Sequence, residues 1–88
     1  MKLIFTKSAT ADIMALPKQT GSRIVRKMQW FAAQAKPLAY AKPLQGKRFG
    51  AYRFRVGTYR VFADVQRNQV TVLLVVLAVR HRKDAYRL

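Results

Sequence analysis

The chain has no cysteine, one histidine and three acidic residues among 88. Without cysteine there is no disulfide framework, no thiolate nucleophile and no Cys-type zinc site. His81 alone cannot build a histidine metal site. Asp12, Asp64 and Asp84 are too few and too scattered for a carboxylate-held metal or a glycosidase pair. No metal and no cofactor are therefore expected. Long apolar runs are missing too: the longest, Val72 to Val79, spans eight residues, against roughly 20 for a membrane helix. The opening MKLIFTKS is too briefly apolar for a signal peptide. These absences point to a cytoplasmic protein with no membrane partner.

Positive charge is what the chain has in excess. Lys and Arg number 18, the formal net charge is +15, and hydrophobic residues still make up 51% of the total. An apolar share that high marks a folded chain rather than a solvated tail, and the length allows one domain, 1–88. Like charge at this density opposes compaction, which implies a polyanionic or acidic partner.

Residues 2–6 (KLIFT) read as a short first strand. A helix follows from about Ser8 to Leu16, with Ala9, Ile13 and Leu16 at helical spacing. Thr6 or Ser8 can cap it, and Asp12 is expected near its positive end. Pro17 breaks the pattern or opens the next helix, which is expected from about Gln19 to Ala35. Ile24, Met28, Phe31 and Ala35 form its apolar stripe, and Gly21 weakens its start. Trp30, Tyr52 and Phe54 read as core aromatics; Tyr40 is open between core and surface. Residues 36–47 (KPLAYAKPLQGK), with two prolines and a glycine, read as an ordered loop. Beyond it, Tyr52, Phe54 and Val56 alternate with Arg53 and Arg55. Gly57-Thr58 suits a two-residue, glycine-first turn. Strands are expected at Tyr59–Val65 and Val70–Val79, joined by a turn at Arg67-Asn68. The last is apolar on both faces and so interior to the sheet. The fold class is α+β: a helical hairpin packed on one face of a mainly antiparallel sheet.

The first turn sets a register with a chemical consequence. With Gly57-Thr58 as the loop, Val56 pairs with Tyr59 and Arg55 with Arg60. Arg53 then shares their face, because side chains alternate with period two. Like charges opposite one another across strands are destabilising. Either an anion is held between them, or they form a solvated face of a very basic chain. Arginine suits phosphate because its planar fork donates two parallel hydrogen bonds. Arg80, His81 and Arg82 follow the last strand, with Tyr86 soon after. Taken alone, His81 is a surface residue and Tyr86 a packing residue. Taken with the arginines, the set has the parts for metal-free RNA cleavage. There the 2′-hydroxyl attacks the adjacent phosphorus and expels the 5′-oxygen. Arginines would stabilise charge on the phosphate, and a histidine or tyrosine would move protons. DNA lacks the 2′-hydroxyl, so such a site would act on RNA.

The segment LQGKRFGAYRFRVGTYRVFADV, a β-rich stretch, and then VRHRKDAYRL together resemble the RelE branch of the RelE/ParE toxin superfamily. These are toxins of type II toxin–antitoxin pairs. The N-terminal KSATADIMALPKQTGSRIV resembles the family's helical hairpin, so the likeness covers essentially the whole chain. It implies an endoribonuclease that cuts mRNA in the ribosomal A site. It implies catalytic roles for Arg60, Arg80 and Tyr86; His81 joins them as a candidate proton carrier on its own chemistry, as the one side chain type that ordinarily titrates near neutrality. Phosphate binding falls to Arg53 and Arg55, with Lys47, Arg48 and Arg82 beside them. The best-known members carry lysines where this chain has Arg53 and Arg55. Arginine stays protonated, so more of the proton transfer would rest on Tyr86 or His81. The likeness further implies an acidic, inhibitory cognate antitoxin, with the ribosome and mRNA as targets. Two other readings stand beside it: a ParE-like gyrase poison that cuts nothing, and a non-catalytic RNA-binding protein.

Overall fold

The computed structural model describes residues 1–46 and 50–85. In chain order the elements are β1 (Lys2–Phe5), α1 (Lys7–Met14), α2 (Lys18–Ala33), a 3₁₀ turn (Pro37–Tyr40), β2 (Ala41–Pro43), β3 (Tyr52–Val56), β4 (Tyr59–Arg67), β5 (Val72–His81) and α3 (Arg82–Ala85). The five strands form one sheet in the order β1-β5-β4-β3-β2. Only β1 and β5 run parallel; the other pairs are antiparallel. The expected α+β class and helical hairpin are what the chain adopts.

Local chemistry accounts for the helix boundaries. The Thr6 hydroxyl accepts the Ala9 N–H at 3.1 Å, so Thr6 rather than Ser8 caps α1. Pro17 stands at the N-cap of α2, where its missing N–H removes no helical bond. Gly21 is buried against α1: a Cβ there would lie 3.1 Å from both the Ile13 Cγ2 and the Ile13 carbonyl oxygen. The glycine that weakens the helix is what lets the two helices meet. The stripe of α2 ends sooner than expected. Ile24, Met28, Phe31 and Ala32 are buried, and Ala35 is exposed beyond the helix.

That stripe lies on Phe54, Val56, Val61, Ala63, Leu74, Val76 and Val79, which form one core with it. One sheet face is thus covered by the helices. The segment expected as a plain loop carries the 3₁₀ turn and a short edge strand. β2 pairs Ala41 with Phe54, Lys42 with Arg53 and Pro43 with Tyr52. Its proline is tolerated because an edge strand has one side with no ladder bond to lose.

Two details place the arginines. Gly57 has φ 59° and Thr58 is not in the positive-φ region, as a glycine-first turn requires. The register is Val56↔Tyr59 and Arg55↔Arg60, as the sequence indicates. The second detail is a bulge in β5. Phe62 faces Ala78 but Ala63 faces Val76, so Leu77 is the extra residue. Strict alternation from Leu74 and Val76 would turn Arg80 toward the helices. The inserted residue reverses the phase, so Val79 joins the core and Arg80 turns to the other face.

Candidate phosphate-binding site

The sheet face away from the helices carries two rows of like charge. Arg55, Arg60 and Arg80 are register partners across β3, β4 and β5. One step along, Lys42 and Arg53 are partners across β2 and β3, and Arg53 in turn faces Phe62. Adjacent strands lie about 4.8 Å apart, so the row concentrates three guanidinium groups within two strand spacings. The structure therefore brings Arg53, Arg55, Arg60 and Arg80 together. It adds Lys42, which lies in the segment expected as a loop; the AKP tripeptide gives no alternation from which to see a strand.

Arg60 is the centre of the row and is 6% exposed. Its Nη1 donates to the Tyr59 carbonyl at 3.3 Å, and no carboxylate pairs with it among the described residues. A buried guanidinium between two others is costly unless an anion compensates it. Arg80 is held differently. Its Nη1 donates to Asp12 Oδ2 at 2.5 Å and to the Val79 carbonyl at 3.0 Å. The same Asp12 oxygen accepts the Val79 N–H at 3.0 Å. Beyond the end of β1, α1 takes the place beside β5. Asp12 thus acts on a sheet edge and an arginine. It does not serve the positive end of its helix, whose first turn contains no acid. Asp12 fixes the Arg80 side chain and offsets its charge, so Arg60 and Arg55 present the less compensated cations.

His81 is not part of this face. It pairs with Tyr59, and the two rings stand edge-on with centroids 5.3 Å apart. Tyr59 packs against the helix-side core, so alternation sets His81 opposite Arg80. Its Nδ1 accepts the Lys83 N–H at 3.3 Å, which makes it a cap for the short α3. Arg82 is exposed at the start of α3, and its N–H binds the Thr58 carbonyl at 2.6 Å beside the hairpin turn. Tyr86, Arg48 and Lys47 lie outside the described residues. Trp30, expected in the core, is 46% exposed, as is Tyr40; Phe54 is fully buried as expected. No helix among the described residues is long and apolar enough to cross a membrane.

A small, strongly basic chain with a helical hairpin on one side of such a sheet and arginines on the other has the build of the RelE/ParE toxins. The chain belongs to this superfamily: residues 3–86 match the family described as the ParE toxin of type II toxin–antitoxin systems, parDE. Over 83 residues it is 34% identical to Toxin RelG of Mycobacterium tuberculosis, covering 94% of this chain and 92% of that one. The crystal structure of the toxin–antitoxin complex RelBE2 from the same organism matches with a TM-score of 0.71 at 28% identity, covering 92% of this chain and 96% of that one. The YoeB/ParE toxin from Agrobacterium tumefaciens matches with a TM-score of 0.65 at 25% identity, covering 92% and 98%. The protein is a toxin of a type II toxin–antitoxin pair. The matches carry both RelE and ParE names.

Proposed function

We propose that the protein is a metal-independent endoribonuclease that cuts mRNA in the ribosomal A site and is neutralised by an acidic cognate antitoxin. The observation that carries this reading is the Arg55–Arg60–Arg80 row with a buried Arg60 that pairs with no carboxylate among the described residues. The 2′-hydroxyl of the substrate attacks the neighbouring phosphorus, the 5′-oxygen leaves, and a 2′,3′-cyclic phosphate forms. Charge builds on the non-bridging oxygens as the fifth bond forms. Preorganised guanidinium groups stabilise that charge more than the ground state, which is how fixed donors accelerate a reaction. Arg60 stands at the phosphate, Arg55 and Arg53 bind on one side, and Arg80, aimed by Asp12, binds on the other. Proton transfer is assigned to Tyr86; the placement of His81 on the opposite face argues against it as the partner. The protein acts in the cytoplasm, where its targets are.

Primer extension on a reporter mRNA in a reconstituted translation reaction, with and without ribosomes, tests this. Cuts within codons that need ribosomes are expected. A second reading, the gyrase poison, is favoured by the ParE description of the matching family. It gains the stronger claim if no cuts appear and DNA damage precedes any arrest of translation.

A further inference from the structure

Adjoining the arginine row at Arg55, between α2 and the β3–β4 turn, lies an open cleft of about 410 Å³. It is lined by Arg23, Arg26, Lys27, Trp30, Arg55 and Gly57 among others, with no acidic side chain among the described residues that line it. Arg23, Lys27 and Trp30 follow one another at i, i+4 and i+7, with Arg26 beside them. They occupy the helix face flanking the buried Ile24–Met28–Phe31 stripe. The floor is the edge of β3. β2 covers β3 only from Tyr52 to Phe54, so the strand is uncovered at Arg55 and Val56. Arg23 is laid over the turn: a Cβ on Gly57 would stand 3.1 Å from its Nη2.

The aromatic side of the cleft is equally specific. Lys27 Nζ is 4.6 Å from the centroid of the Trp30 ring. Trp30 and Tyr40 meet edge-on at 5.2 Å, and each is 46% exposed. A half-exposed indole bordered by four cations, with Tyr40 set against its edge, is unlike an ordinary solvated face. Cations that track a backbone beside rings that accept bases are the two parts of a single-stranded nucleic-acid groove. Arg55 belongs to both the cleft and the arginine row, so one strand can run from the reacting phosphate round the hairpin turn without a gap in positive charge.

We propose that this cleft is a second RNA-binding subsite, which holds the backbone of a single strand outside the cut phosphate and stacks a base on Trp30. The assignment deepens the nuclease reading and rests on it for the choice of RNA. An acidic protein segment would satisfy the cations, but it would make no particular use of the exposed rings.

The test uses a fluorescent, fully 2′-O-methylated single-stranded RNA, which binds but cannot be cut by 2′-hydroxyl attack, titrated over a range of salt concentrations. Poly-glutamate serves as the acidic-chain control. The triple variant Arg23→Gln/Arg26→Gln/Lys27→Gln should reduce the slope of log affinity against log salt by about 2, at ~0.7 per lost phosphate contact. Trp30→Ala should weaken RNA binding roughly tenfold with little change in slope, leave poly-glutamate binding unaltered, and be rescued by Trp30→Phe. Far-UV circular dichroism confirms that each variant is folded; Trp30→Phe tests stacking if Trp30→Ala is not. An unchanged slope and affinity in the triple variant would overturn the subsite. So would equal losses for RNA and poly-glutamate with no effect at Trp30, which assigns the cleft to an acidic protein. Cleavage is read separately on unmodified mRNA. If wild type cuts nothing while the slope still falls, the nuclease reading fails and the subsite stands.

Discussion

On the helix side of the sheet, Phe54, Val61, Leu74 and Val76 are fully buried and pack beneath Ile24 and Met28. On the other side, the same three strands carry Arg55, Arg60 and Arg80 shoulder to shoulder. The first face gains free energy from every neighbour it has. The second sets like charges side by side, only Arg80 being offset, by Asp12, among the described residues, and the central arginine of the row is withdrawn from water. Cross-strand pairs are the units by which a sheet is stabilised, so one face holds the fold together against the other. A surface arranged at the expense of stability is where function is to be sought. An anion arriving there relieves the repulsion and, by binding only the folded state, stabilises it.

The sharpest way to break the supporting face is Phe54→Ala. Phe54 is fully buried and stacks on Phe31 with centroids 5.1 Å apart. Its removal should cost ~3–5 kcal/mol, enough to unfold much of so small a chain, with loss of the cooperative thermal transition as the readout. The opposing face should answer with the opposite sign. Arg60→Leu removes a buried charge and two like-charge pairs. It should stabilise the free protein by ~1–3 kcal/mol in urea unfolding while abolishing toxicity; Arg60→Ala should likewise abolish toxicity with the fold retained. A large loss of stability in Arg60→Leu would mean that the row is a structural network rather than a strained binding face.

Much of this contrast was legible in the sequence, and the reasons are local. The period-two pattern from Tyr52 to Val56, together with a two-residue turn at Gly57-Thr58, fixes which residues oppose one another, so the Arg55–Arg60 pair follows without coordinates. Spacing also narrows the cap of α1 to Thr6 or Ser8 and gives Ile24, Met28 and Phe31 of the α2 stripe, though not its end, where Ala32 rather than Ala35 is buried. What could not be read depends on non-local events. β2 is a strand only because β3 lies beside it, and with it came Lys42. The place of Arg80 depends on an extra residue at Leu77. Composition shows no bulge in an unbroken apolar run, and strict alternation would have put Arg80 on the wrong face. Adjacency in sequence groups His81 with Arg80, yet adjacent strand residues point to opposite sides. Trp30 reads as core by residue type, but at i+7 from Arg23 it falls on the cationic flank of its helix.

Asp12 joins the two faces and allows a finer test. It binds one backbone N–H of β5 and one guanidinium of the row. Asp12→Asn keeps an acceptor for the N–H but removes the charge that holds Arg80. The partly exposed ion pair should cost about 1–2 kcal/mol when broken, read as a lower urea midpoint. The functional outcome separates charge from aim. If Arg80 contributed charge alone, the variant, being one unit more positive, would cut RNA better. If aim matters, cutting should fall roughly tenfold with RNA binding no weaker.

The smallest expected effect lies at the hinge where the faces are set in register. Gly57 sits at φ 59°, where an L side chain costs about 1 kcal/mol, and a Cβ there would press on Arg23. Gly57→Ala should lower the melting temperature by about 4–8 °C. The informative quantity is whether cutting falls more than stability. The turn decides that Arg55 meets Arg60, and a slip of one residue would send every side chain of one strand to the other face. The supporting face resists such a slip, because it would bury arginine under Ile24 and expose Phe54. Gly57→Ala should therefore keep the register and lose cutting only in proportion to the folded fraction. A disproportionate loss of cutting, with a native-like melting curve, would mean that the turn, and not the core beneath it, sets the alignment of the arginine row.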